Sequence, residues 1–227
     1  MSYLNASQSW KVLIWLFLCC SAFSVNAQLR VNSGYDLSYS IPNKLNQILD
    51  NYNDLHPNSI QDFGEFHISN GLIFGLRYEL DFLGIEANWI YRFSDEETIL
   101  SESTDGNEGI KLLGRFQTFS FGLDNQFDWF SYGGTLNYNL NRIKANINDQ
   151  TTKVSFLKED NYGATFYIGF NTSRSNQIRL SFRPFVSIPL TSIDYSELDL
   201  ELNETPTVND SKERPTMFGL RIIFTNG

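Results

Sequence analysis

The chain has 227 residues, which bounds it at one domain or at most two. It carries a net charge of -9, and clusters of Lys and Arg of the kind that grip phosphate are absent, which argues against a nucleic-acid partner. Aromatic residues make up 15% of the chain, yet mean hydropathy is only -0.27, so apolar residues are spread along the chain rather than gathered in blocks. No run of about 18 apolar residues follows the N-terminus, which excludes a helical membrane protein.

Residues 1–27 read as an export signal. Lys11 supplies the positive charge, Val12 to Cys20 form a short apolar run, and Val25-Asn26-Ala27 is a small-x-small cleavage pattern. A membrane anchor would need a longer run. A lipoprotein would use Cys19 or Cys20, but Cys20 follows Cys19 rather than a small residue. The domain proper is therefore expected over 28–227. Both cysteines lie in the signal, so this domain has no disulfide, and it is one unit more negative than the whole chain.

From Leu29 onward the sequence alternates with a period of two, the mark of strands with one apolar face. Leu29, Val31, Tyr35, Leu37 and Tyr39 oppose Arg30, Asn32, Gly34, Asp36 and Ser38. Residues 41–64 form a long connection. Within it, Leu45, Ile48, Leu49 and Tyr52 keep helical spacing after Pro42, which predicts a short helix: a lid, a partner-binding helix, or one packed on a rim. The second strand sets Phe66 to Leu80 against Glu65, His67, Ser69, Gly71, Gly75, Arg77 and Glu79, and a tight turn follows at Asp81. The third sets Leu83, Ile85, Ala87, Trp89, Tyr91 and Phe93 against Gly84, Glu86, Asn88, Arg92 and Ser94. Residues 95–108 read as a long loop.

The fourth segment changes phase. Ile110, Leu112 and Phe116 are even, whereas Phe119, Phe121 and Leu123 are odd, and a one-residue slip of this kind predicts a β-bulge at Gln117–Thr118. Strands around Phe130–Leu140, Tyr162–Phe170, Ile178–Leu190 and Phe218–Phe224 complete the set. Their connections are short at 124–128 and 172–176 and long at 142–160 and 191–213, although the alternation at 152–157 allows a strand to run on there. Eight strands with long loops on one side and short turns on the other predict an antiparallel transmembrane β-barrel with its long loops outside the cell.

A soluble β-sandwich also alternates. Its polar face would be rich in Lys, Glu and Thr; here that face is rich in Gly, Ser and Asn, which suits the crowded inside of a narrow barrel. Its charges are Arg30, Arg77, Arg92, Arg179, Arg183 and Arg221, with Asp36, Glu79 and Glu86. Buried charges must pair, and guanidinium forks suit carboxylates, so these nine residues predict a luminal ion-pair network that leaves no open channel. Aromatic girdles are expected at Tyr39, Trp89, Tyr91, Phe93 and Tyr162 on the outer rim, and at Tyr78, Phe130, Tyr132 and Phe224 on the inner one.

With these alternating strands, the export signal through Ala27 and the closing strand Met217–Phe224, the chain resembles small eight-stranded outer-membrane barrels, the OmpA/OmpX-like and Bacteroidetes group. The likeness spans the whole mature chain. It departs at the C-terminus, where Thr225-Asn226-Gly227 follow the expected terminal aromatic. The resemblance implies a Gram-negative outer-membrane location, lipid and the barrel-assembly machinery as partners, and a structural or interaction role through the loops.

No Gly-rich phosphate loop, nucleophile elbow or Cys/His metal spacing occurs, so neither catalysis nor a cofactor is expected. The trio His67, Glu65 and Ser69 is the nearest approach to the His, Ser and acid of a lipid-cleaving barrel, but His67 is expected to face the lumen. Acidic residues crowd 95–108 (Asp95, Glu96, Glu97, Asp105, Glu108) and 194–213 (Asp194, Glu197, Asp199, Glu201, Glu204, Asp210, Glu213), and read as solvated loops or as divalent-cation ligands. Rival readings are a component of a secretion or assembly machine, a lipid-modifying enzyme and a periplasmic sandwich.

Overall fold

The computed structural model describes residues 28–226 other than 104–105, 148–153 and 173–177. The expected export signal and the loop acid Asp105 lie outside the described residues.

The strands are β1 (Gln28–Ser40), β2 (Ile68–Leu80), β3 (Leu83–Ser103), β4 (Gly106–Gln126), β5 (Phe130–Ile147), β6 (Val154–Asn171), β7 (Ile178–Pro189), the short β8 (Ile193–Asp194) and β9 (Lys212–Glu213), and β10 (Met217–Asn226). Eight of them close into one antiparallel barrel in the order β1-β10-β7-β6-β5-β4-β3-β2, while β8 and β9 pair separately. A single closed sheet replaces the two sheets of a sandwich. The barrel is sealed by β1 on β10, from Asn32 opposite Thr225 to Ser40 opposite Met217. Such closure removes the unpaired edges that an open sheet would present.

One end carries tight turns. Leu80 pairs with Leu83 across Asp81-Phe82, and Asp81 takes a positive φ of 28°, which an Asp tolerates in a turn. The other end carries a cap. Helix α1 (Asn43–Leu55) follows Pro42, and its expected residues Leu45, Ile48, Leu49 and Tyr52 are buried. Helix α2 (Ser196–Asn203) buries Leu198 and Leu202. The two helices share one apolar core with Phe63, Phe66, Leu112, Ile143, Phe156 and Leu157.

The described residues of 95–108 and 142–160 are therefore strand, not loop. β3 with β4, and β5 with β6, run on past the barrel as long hairpins that wall the cap. The bulge expected at Gln117–Thr118 is absent: β4 stays in continuous register with β3 there, and the shifts occur at Ile99/Ser101 and at Ile143/Lys144. Even positions of β4 point inward from Leu112 to Gln126. Thr118, Ser120 and Asp124 are buried inside the barrel, and Leu112 is buried inside the cap. What changes at residue 117 is the surroundings of each face, not the register.

Candidate functional site: the barrel interior and its cap

The strand faces invert their polarity along their length. In the barrel segment the outward residues are apolar and uncovered, including Phe121 at 59% and Leu136 at 68% exposure. Above it, the outward residues become charged and pair across strands. Arg115 lies 2.5 Å from Asp95, Lys111 lies 3.3 Å from Glu97, and Arg142 lies 2.8 Å from Asp160. The inward residues invert the other way: Asn137, Asn141 and Thr118 sit in the barrel, while Leu112, Ile143 and Ala145 sit in the cap.

Aromatic residues mark both limits of the apolar band. Tyr138 and Tyr162 face each other across β5 and β6 at 5.3 Å, directly below Arg142 and Asp160. At the turn end Phe127, Trp129, Phe130, Tyr132 and Phe170 form a continuous set of ring contacts. Phe82, Phe127 and Trp129 were not among the expected girdle residues because they sit in turns, outside the alternation. Large aromatics in two- and three-residue turns were the available signal.

Inside the barrel the charged side chains fall into two groups. The group nearer the turn end centres on Glu86 and Glu79. Arg77 reaches Glu79 at 3.0 Å, Glu86 at 3.1 Å and Asp124 at 2.5 Å. Arg183 reaches Glu86 at 2.8 Å, Arg179 reaches Glu79 at 2.6 Å, and Arg30 reaches Glu79 at 2.8 Å. Tyr167 donates to Glu86 at 2.9 Å, and the Arg183 guanidinium lies 4.9 Å from the Tyr167 ring. Since β3 and β7 stand opposite each other in the ring of strands, the Glu86–Arg183 pair crosses the full width of the barrel.

The group nearer the cap is smaller. Arg92 grips both oxygens of Asp36, at 2.6 and 3.1 Å, and Arg221 adds a third bond at 2.9 Å. Arg221 also lies over the Phe185 ring at 4.3 Å. Ile73, Ile90 and Ile223 form a small apolar layer between the two groups. All nine residues singled out from the sequence take part in these contacts. Asp124 and Tyr167 join them unforeseen: Asp124 falls where a turn was expected, and Tyr167 breaks the polar pattern of its face.

His67 does not point into the lumen. It precedes β2 at the barrel rim, stacks on Tyr39 at 4.9 Å, pairs with Glu65, and lies 3.0 Å from the Ser40 carbonyl. Ser69 is bonded to Ser38 at 2.9 Å, so the three residues form no nucleophile–base pair.

Several acids read as solvated are structural. Asp199 is buried and accepts from the Thr207 and Val208 amides at 2.7 and 3.0 Å, the Thr207 hydroxyl at 2.7 Å and the Asn203 amide at 2.8 Å. Burial would raise its pKa, but these bonds outweigh it and hold the carboxyl below its usual value. Glu213 accepts from the Asn43 and Lys44 amides at 2.9 and 2.8 Å, placing a negative charge at the α1 N-terminus. Asp194 accepts from the Ser196 amide at 3.0 Å, at the first residue of α2. Glu197, Glu201, Glu204 and Asp210 remain exposed.

A cavity of about 90 Å³ lies where the two halves meet. Its roof is the apolar underside of the cap, with Leu45, Phe116, Ile143 and Tyr195, and its floor includes Arg92, Arg221, Thr118 and Asn139.

No protein-family model matches the chain, and no curated protein matches it. Among solved structures it is similar to Ail, the attachment invasion locus protein of Yersinia pestis. One Ail structure, in complex with the heparin analogue sucrose octasulfate, matches with a TM-score of 0.47 and 13% identity over 88% of this chain and 98% of that one. A second Ail structure matches with a TM-score of 0.43 and 13% identity over 87% and 97%.

Proposed function

We propose that this chain is an integral outer-membrane barrel of a Gram-negative cell, exported through a cleaved signal, whose lumen is closed and whose extracellular cap makes its functional contacts. The observation that carries the reading is the inversion of polarity along β4 and β5. An apolar outer face beside a polar inner one needs an apolar solvent around the lower half. The reverse pattern above needs water around a folded cap. Runs of about ten tilted residues cross a bilayer core, which fits Leu83–Phe93 and Phe130–Leu140. A closed lumen is supported by the ion pair that spans the barrel at Glu86 and Arg183. The role is non-enzymatic, with lipid and the barrel-assembly machinery as obligatory partners and a protein as the partner of the cap.

Labelling of intact cells tests this. With residues 1–27 removed, the chain has no cysteine, so single substitutions report cleanly. Glu201→Cys on α2 should react with a membrane-impermeant maleimide, and Asp128→Cys in the β4–β5 turn should react only after permeabilisation. The folded barrel should migrate differently on SDS gels before and after heating. Recovery in the soluble periplasmic fraction, or equal labelling at both sites, would overturn the reading. Co-purification of a multi-protein complex would assign the cap to a secretion or assembly machine.

A further inference from the structure

We propose that the chamber between cap and barrel binds a small organic anion, its oxyanion held by Arg221 and Asn139 and its apolar part lying under the cap. Three observations carry this beyond the surface role of the cap.

The first is charge. Arg92 and Arg221 share the single carboxylate Asp36, so the three groups leave one uncompensated positive charge. All three are at most 4% exposed, and a buried charge without a partner is costly. An anion in the chamber would complete the set.

The second is a surplus of donors. Arg221 uses Nε on Asp36, and among the described residues neither Nη1 nor Nη2 donates to a protein acceptor. The opposite wall behaves alike. Arg92 Nη1, which can only donate, reaches the Thr118 hydroxyl at 3.1 Å. The Thr118 proton then goes to Asn139 Oδ1 at 2.8 Å. That chain fixes the Asn139 amide with Nδ2 turned away from Thr118. Among the described residues Nδ2 also has no protein acceptor. Donors converging on one cavity call for an acceptor-only group, as an oxyanion is.

The third is the roof. Leu45, Phe116, Ile143 and Leu157 line the same cavity. Bare inorganic anions gain nothing from such a surface, whereas an apolar substituent would be taken out of water there. The volume is several times the roughly 10–15 Å³ that one buried water requires.

The test is titration of the refolded, heat-modifiable full barrel in detergent micelles with sodium hexanoate, against inorganic phosphate and hexanol at matched ionic strength. Binding is read from the side-chain NMR signals of Arg221 and Asn139 and from calorimetry. Hexanoate should saturate the site and bind more tightly than either phosphate, the head alone, or hexanol, the tail alone. Arg221→Gln should weaken it about tenfold or more, as expected on losing a charged hydrogen bond. Asn139→Leu removes a donor without touching Asp36 and should weaken hexanoate in a barrel that still folds, so the test survives if Arg221→Gln does not refold. Phosphate binding as tightly as hexanoate would overturn the role of the roof. No saturable response to any probe, or unchanged affinity in Asn139→Leu, would overturn the proposal.

Discussion

Glu86 is the residue on which the lower half of the lumen turns. It is 1% exposed and takes two guanidinium bonds and a phenol bond from three other strands. Removing one partner of a buried pair leaves an uncompensated charge and costs about 3–5 kcal/mol, whereas replacing both with apolar groups is often neutral. Glu86→Gln should therefore lower the urea midpoint of the folded band sharply. The double change Glu86→Leu with Arg183→Met should recover much of that loss, and a double variant as weak as the single would sink this account. Gly84 makes the network possible. A Cβ placed there would lie 2.1 Å from Arg77 Nη2 and 2.2 Å from Asp124 Oδ1, atoms that cannot retreat because both residues are buried and paired. Gly84→Ala should cost roughly 1–3 kcal/mol by overpacking, read from the same midpoint.

At the scale of elements, the cap is a second hydrophobic core tied down by carboxylates. Asp199 holds the 204–208 turn onto α2, and Glu213 holds the start of α1. The folded pKa of Asp199 is depressed, so its contribution is present above the unfolded carboxyl value of about 3.9 and is lost as pH falls through the folded one. Below about pH 4 the methyl signals of Leu198 and Val208 should broaden, while the barrel keeps its heat-modifiable migration. Asp199→Asn should destabilise the cap at neutral pH by about 1–3 kcal/mol and abolish that acid transition. An acid transition unchanged in the variant would assign it to another group. α1 was legible because Leu45, Ile48, Leu49 and Tyr52 fill two turns of helical spacing after Pro42. α2 was not, since Leu198 and Leu202 alone are too few to set a period among so many acids.

For the molecule as a whole, strand number, chain order and nine of the ten charged residues that meet in the lumen could not be separated from one assumption, that each strand face meets a single environment. That assumption holds for β1, β2, β7 and β10, whose alternation never changes sense. It fails for β4, where Phe116 and Phe119 lie on opposite faces in an unbroken register. Read with one environment per face, the phase change becomes a bulge, and the charged outward positions Asp95, Arg142 and Asp160 become loop. With a membrane below and water above, the same residues describe one long strand. The two regions must then respond oppositely to the same substitution. Phe121→Arg places a charge outward near mid-span and should cost about 2–4 kcal/mol and impair insertion, read as the fraction of heat-modifiable barrel in vesicles. Lys111→Phe, outward on the same strand but beside the cap, should leave insertion unchanged and lose only the exposed pair with Glu97, which is worth little. Equal effects at the two positions would mean that one environment surrounds the whole strand, and the division into membrane-embedded barrel and aqueous cap would fall with it.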